Sequence, residues 1–331
     1  MSLATRLRPV RGAAIAVLIY LVMYLVYAIS EASATSVFAI TNLLDNTIVL
    51  AIAAAGLTLV VLTGELDLSA IGVIAITNVV VATTSAGVLG WFGALVAVVL
   101  IGAAVGLING WLVVGLGLQS LAVTIGTMIA CQGVALVILA APGGEVSDTI
   151  ANGLTGDIAN VVPVAAVIII GVLALWFVFA RTRLGIAIYA VGSDENAAGL
   201  SGLNVRRTKL LAFVLAGAAY GCAGYLLSAQ TGSGDPRASN TFLLFMYAAV
   251  AIGGTSLTGG RGGVFGSVVG AGILTVMQKM LFALGAASFY TNVFSGMIML
   301  VALFVGNLSG LRLRRQRGLN GKARRPDLER I

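Results

Sequence analysis

The chain has 331 residues, 59% of them hydrophobic and only 9% charged, with a mean hydropathy of +1.06. A water-soluble domain does not bury that much apolar surface, so the composition points instead to an all-α polytopic membrane protein. The net charge of +7 sits in clusters, which makes it a topology signal rather than the footprint of a nucleic-acid-binding surface.

Three basic residues lie near the N-terminus (Arg6, Arg8, Arg11), five in a central loop and eight from Arg312 onward. Cytoplasmic loops collect Lys and Arg, so all three clusters, and with them both termini, are expected in the cytoplasm. Residues 1–11 then form an N-terminal tail, 12–308 a transmembrane domain and 309–331 a basic C-terminal tail that could touch anionic lipid. Histidine is absent and no G-x-x-x-x-G-K-[ST] loop occurs. The chain therefore lacks the commonest metal ligand and general base and this kind of phosphate cradle, and no catalytic or metal site is expected. Cys131 and Cys222 lie in apolar runs, which does not suggest a disulfide framework.

The first apolar run, 12–29, is longer than a usual signal core. It reads as a retained span, although Ala32-Ser33-Ala34 mimics a cleavage site. Further spans are expected at 44–63, 68–86, 92–114 and 121–140. An acidic outer segment with Glu145, Asp148 and Asp157 precedes a span at 163–180, and the chain then enters the charged loop 181–209. Runs at 210–229, 241–252, 264–284 and 289–305 bring the total to about ten passes, some broken or re-entrant.

Two interruptions stand out. The run 241–252 is too short to cross about 30 Å at about 1.5 Å per residue, and GGTSLTGGRGG follows it at residues 253–263. The stretch TGELDLS, residues 63–69, occupies the matching place after an earlier span. Irregular backbone at membrane depth persists only inside protein or beside water. The pairing suggests two related halves, as in many transporters.

The loop 181–209 holds a candidate docking helix. Ser193 is expected as its N-cap, with Asp194 and Glu195 in the first turn, then Asn196, Ala197 and Leu200, and Gly202 as a left-handed stop after two to three turns. Candidate solute-path residues are Glu65, Asp67 and Ser69 in the first interruption, Asn109 and Gln119, and Thr255, Ser256 and Thr258 in the second. The competing readings are hydration or helix capping for the two acids and interhelical hydrogen bonding for Asn109 and Gln119. Arg261 could neutralise a carboxylate, bind a partner or snorkel. Lys279 is expected to reach the headgroups, and Trp91, Trp111 and Trp176 to mark span ends. Gly102, Gly106 and Gly110, and likewise Gly262, Gly266 and Gly270, form small-xxx-small steps that let helices approach closely within a subunit or across a dimer.

Four stretches resemble the permease family of ribose-type ABC importers: GELDLSAIGVIAIT, GLINGWLVVGLGLQSLAVTIGTM, LGIAIYAVGSDENAAGLSGLNVRRTK and IGGTSLTGGRGGVFGSVVGA. The resemblance implies a bacterial inner-membrane subunit that is not itself an enzyme. It also implies a second permease copy or paralogue, an extracytoplasmic solute-binding protein, and a cytoplasmic ATPase that holds ATP and Mg²⁺ and docks at Ser193 to Gly202. The expected cargo is a monosaccharide or related polyol-like solute. Glu65 departs from the family pattern, which usually has a small or apolar residue there, and Gln119-Ser120 stands where a Pro-containing pair is common. A transporter coupled to H⁺ or Na⁺ through Glu65 and Asp67 is the rival reading.

Overall fold

The computed structural model describes residues 8–285, apart from 160 and 239–241, together with residues 290, 293, 296 and 297. The expected last span, 289–305, and the basic tail fall almost wholly outside these residues.

Among the described residues the fold is almost entirely helical. Helix α1 (Arg8–Ser30) leads through a turn to α2 (Val37–Leu62), whose N-cap Ser36 accepts a hydrogen bond from the Ala39 N–H. The first interruption separates α2 from α3 (Ala70–Thr84). Helix α4 (Gly90–Gly110) runs on into a π-helical turn at Trp111–Gly115, and α5 (Ser120–Ile138) follows. A small cap consists of α6 (Asp148–Leu154) and the antiparallel pair β1 (Asp157–Ile158) and β2 (Val162–Pro163). Then come α7 (Val164–Phe179), α8 (Arg183–Ser193), α9 (Glu195–Leu200), α10 (Val205–Thr231), α11 (Phe242–Ile252) and α12 (Val264–Ala283).

Six of these helices, α1, α2, α4, α5, α10 and α12, are long and apolar enough to cross a membrane. The bent pair α7–α8, with a 77° turn between its halves, makes a seventh if counted as one span. Residues 68–86 do not form one full-length helix. Helix α3 has 15 residues, about 22 Å of rise, because the irregular backbone of the first interruption extends to Ser69. The chain thus runs long helix, break, short helix around residues 63–69, and short helix, break, long helix around residues 253–263.

The core is built on α2, whose buried face runs from Ile48 to Val61 and meets α10, α11 and α12 through Phe213, Tyr220, Met246 and Leu274. Apolar side chains of α1, α4, α5 and α7 remain exposed, as lipid-facing or subunit-facing surfaces do. Helices α4 and α10 cross in backbone contact. A Cβ on Gly102 would overlap the Gly217 carbonyl, one on Gly217 would overlap the Gly102 carbonyl, and Gly106 meets Phe213 in the same way. Gly266 and Gly270 pack similarly against Gly253 and Ala249 of the neighbouring segment. Gly262 differs from its expected role. It precedes α12, has φ +109° and abuts Thr255, so it shapes a loop and does not seat a helix.

The acidic cap joins the other end of the bundle. Asp157 accepts a hydrogen bond from Thr41, the Gly156 N–H donates to Asp45, and Asn78 accepts from the Asp235 N–H. Lys279, half-buried on α12, donates from its ammonium to Asn42 of α2. Cys131 and Cys222 are free.

Candidate functional site

The first break is held by side chains. Thr63 terminates α2 by donating its hydroxyl to the Val60 carbonyl at 2.7 Å, and Gly64 turns the chain with φ +86°. Asp67 is 1% exposed, and a buried carboxylate must be satisfied locally. Its Oδ1 accepts from the Ser69 N–H at 2.9 Å and from the Ser69 hydroxyl at 2.6 Å. The Ser69 oxygen in turn accepts from Asn109 Nδ2 at 2.9 Å. The Tyr247 hydroxyl accepts from the Asp67 N–H at 3.1 Å and is placed to donate to the Asp67 carbonyl at 3.2 Å. Tyr220, fully buried on α10, brings its phenol beside the Asp67 carboxylate. Three candidates from the sequence, Asp67, Ser69 and Asn109, therefore meet in one buried knot.

Glu65 is turned away from that knot. Its Oε1 lies 2.9 Å from Lys209 Nζ, and the same ammonium lies 2.6 Å from Glu195 Oε2. Lys209, on the first turns of α10, is 8% exposed. A buried ammonium persists when it is paired, and here two carboxylates from different elements share it. Glu65, the departure from the family pattern, thus has a specific partner.

The second break is held by its backbone. The Thr255 N–H donates to Val250, Ser256 to Arg261, Gly259 to Ser256, and Gly260 to the last carbonyl of α2, Leu62, at 3.0 Å. The Thr255 hydroxyl accepts from the Gly263 N–H at 3.1 Å. The Ser256 and Thr258 hydroxyls bond to each other at 2.9 Å near the surface. Gln119 is exposed at the start of α5 and belongs to neither cluster; its neighbour Ser120 accepts from the Leu66 N–H.

The helix expected to dock a partner begins one residue later than the sequence suggests. Ser193 closes α8 and donates to the Tyr189 carbonyl at 2.8 Å, while Asp194 is the N-cap of α9, its Oδ1 accepting from the Ala197 N–H at 2.9 Å. The carboxylate is the better acceptor there, because α8 continues through Ser193. Gly202, at φ +82°, provides the stop, and α9 has six residues, fewer than the expected turns. Asp194, Glu195, Asn196, Ala197 and Leu200 are all exposed, and Leu200 is 92% exposed.

Three elements converge at this point. Gly192 on α8 sits against the Leu62 carbonyl and the Gly260 nitrogen, Gly259 sits against Gly192 and Gly64, and the Tyr189 hydroxyl donates to the Gly262 carbonyl at 2.7 Å. Deeper in, Thr58 of α2 and Ser267 of α12 share a 2.7 Å hydrogen bond. Both breaks and the element that carries α9 are therefore in direct contact. Sequence reasoning missed Lys209, Tyr189, Tyr220 and Tyr247. The two buried phenols were detectable only as polar tips in otherwise apolar helices, which need partners when buried.

The pattern of the family described as "Branched-chain amino acid transport system / permease component" matches residues 39–303. The ribose import permease protein RbsC of Escherichia coli (strain K12) is 35% identical over 271 residues, 80% of this chain and 84% of that protein. The D-allose transport system permease protein AlsC of the same organism is 34% identical over 251 residues, 75% of this chain and 77% of that one. The L-arabinose ABC transporter permease protein AraH of Azospirillum brasilense is 31% identical over 293 residues, 87% and 85% respectively. No solved structure matches the chain.

Proposed function

The chain belongs to this permease family, and from that premise we propose that it is the transmembrane subunit of an ABC importer for a monosaccharide or related polyol-like solute. The chain crosses the bacterial inner membrane about ten times, with both termini in the cytoplasm. It pairs with a second permease copy or paralogue and receives solute from an extracytoplasmic binding protein. A cytoplasmic ATPase binds ATP and Mg²⁺ and docks on Asp194 to Gly202.

The observation that carries this reading is the junction of α8 and α9 with both breaks. A push on α9 is passed through Gly192 and Ser193 at the end of α8 to the Leu62 terminus and the Gly259–Gly260 turn, which in turn abuts Gly64. In alternating access, that contact converts ATPase closure into displacement of irregular backbone at the solute path, where Asp67, Ser69, Asn109 and Thr255 are the polar groups. The knot of Asp67, Ser69 and Asn109 is the closed arrangement, and solute hydroxyls exchange for its internal hydrogen bonds as the path opens. The sugar assignment rests on the names of relatives aligned over most of the chain. Against ion coupling, Glu65 is already paired with Lys209, and Asp67 is bound to Ser69.

The test is gentle purification of the tagged chain from its native membrane, with the co-purifying proteins identified by mass. A stoichiometric ATPase partner supports the assignment. A folded chain without an ATPase contradicts it. The complex would then be offered ribose, allose, arabinose and a branched-chain amino acid, and transport of the amino acid alone would overturn the sugar class.

A further inference from the structure

The ion-pair triad Glu65–Lys209–Glu195 joins three separate pieces of chain: the first break, the base of α10 and the first turn of α9. Its two arms are unequal. The Glu65 side chain is 18% exposed, whereas Glu195 is 56% exposed. The inner arm is therefore shielded from water and held, and the outer arm is hydrated and screened, so it is the arm that can open. Lys209 also stands at the base of a 27-residue helix that locks onto α4 through Gly217 and Gly102 and reaches the Asp67 knot through Tyr220. A displacement of α9 by about an ångström, ordinary for packed helices in switching proteins, breaks or makes the Glu195 arm while the Glu65 arm travels with the break.

We infer that Lys209 is a positioning residue for transport: through Glu195 and Glu65 it ties the exposed docking helix to the first break, so that ATPase movement is transmitted to the solute path. This rests on the transporter reading above. The triad adds to the backbone contacts at Gly192 and Gly260 a link that charge substitution can cut without adding bulk. It also gives Glu65 a role in transmission instead of solute contact.

The experiment uses the permease reconstituted with its ATPase and binding protein in vesicles, and records both solute uptake and ATP hydrolysis. In Lys209→Gln, solute moved per ATP is expected to fall about tenfold, a size typical of site-to-site coupling, with ATP hydrolysis within about twofold of wild type. Lys209→Arg keeps the charge and restores most of the ratio. Glu65 lies outside the docking helix, and Lys209 keeps Glu195 as a partner when it is changed; Glu65→Gln therefore supplies the second variant and lowers the ratio about threefold, with ATPase association unchanged. An unchanged ratio in Glu65→Gln and in any Lys209→Gln complex that assembles would overturn the inference. So would equal losses of uptake and hydrolysis in both variants, since that pattern is structural damage. If the wild-type complex itself hydrolyses ATP without moving any solute, the transport reading fails first and the inference falls with it.

Discussion

The two breaks solve one problem in two ways. Residues 63–69 leave the helix and satisfy their backbone and buried charge with their own Ser69 and with side chains drawn from α4, α5, α10 and α11: Asn109, Ser120, Lys209 and Tyr247. Residues 253–263 leave the helix with six glycines and satisfy themselves mainly through backbone hydrogen bonds, including Gly260 to Leu62. A side-chain-held break is sensitive to the loss of a polar group. A glycine-held break is sensitive to the gain of a Cβ. The pair also divides the work, because the first break carries the charge and hydroxyl chemistry and the second provides the close fit against α8.

Substitutions at the two breaks separate these behaviours. The largest effect is expected at the second. Gly260→Ala must place a side chain at φ +70° against the Ser193 backbone. It should cost about 3 kcal/mol from left-handed strain and overlap together, read as a lowered melting temperature in detergent. At the first break, Asp67→Ala leaves the Ser69 N–H and hydroxyl without their acceptor and should cost about 2 kcal/mol. Asp67→Asn, which keeps an acceptor oxygen, should cost about half as much. Tyr247→Phe removes one hydroxyl that serves both the N–H and the carbonyl of Asp67, for about 1–2 kcal/mol. The smallest change in stability, within about 0.5 kcal/mol, is expected for Leu200→Asp at an exposed position of α9. That variant should nevertheless lose ATPase association in a pull-down; normal association would remove α9 as the docking element.

The breaks themselves were legible in the sequence. A run of glycines, or a pair of acids, is conspicuous against helices made of Ala, Val and Leu, and hydropathy alone places such a run between spans. The left-handed stop at Gly202 and the close-approach steps at Gly102 and Gly106 follow from local spacing. What the sequence did not disclose is partnership. Nothing near Gly102 names Gly217 as the surface it meets, and nothing near Lys209 distinguishes a buried ammonium bridging two carboxylates from one more cytoplasmic charge. The cap shifted from Ser193 to Asp194 because either residue can cap, and the choice depends on how far α8 extends. The stretch 68–86 reads as a full span because apolar character continues past the point where α3 ends. Tyr220 and Tyr247 carry no periodic signal at all, since a single phenol on a core helix looks like any other bulky residue.

The most direct test of the account is ATP-driven uptake by the permease, its ATPase and its binding protein in sealed vesicles, with and without an uncoupler. The account predicts accumulation of a monosaccharide that requires ATP and persists when the uncoupler collapses ion gradients. Uptake that disappears with the uncoupler while ATP is maintained would contradict it. Such a result would reassign Glu65 and Asp67 from structural and coupling roles to an ion path.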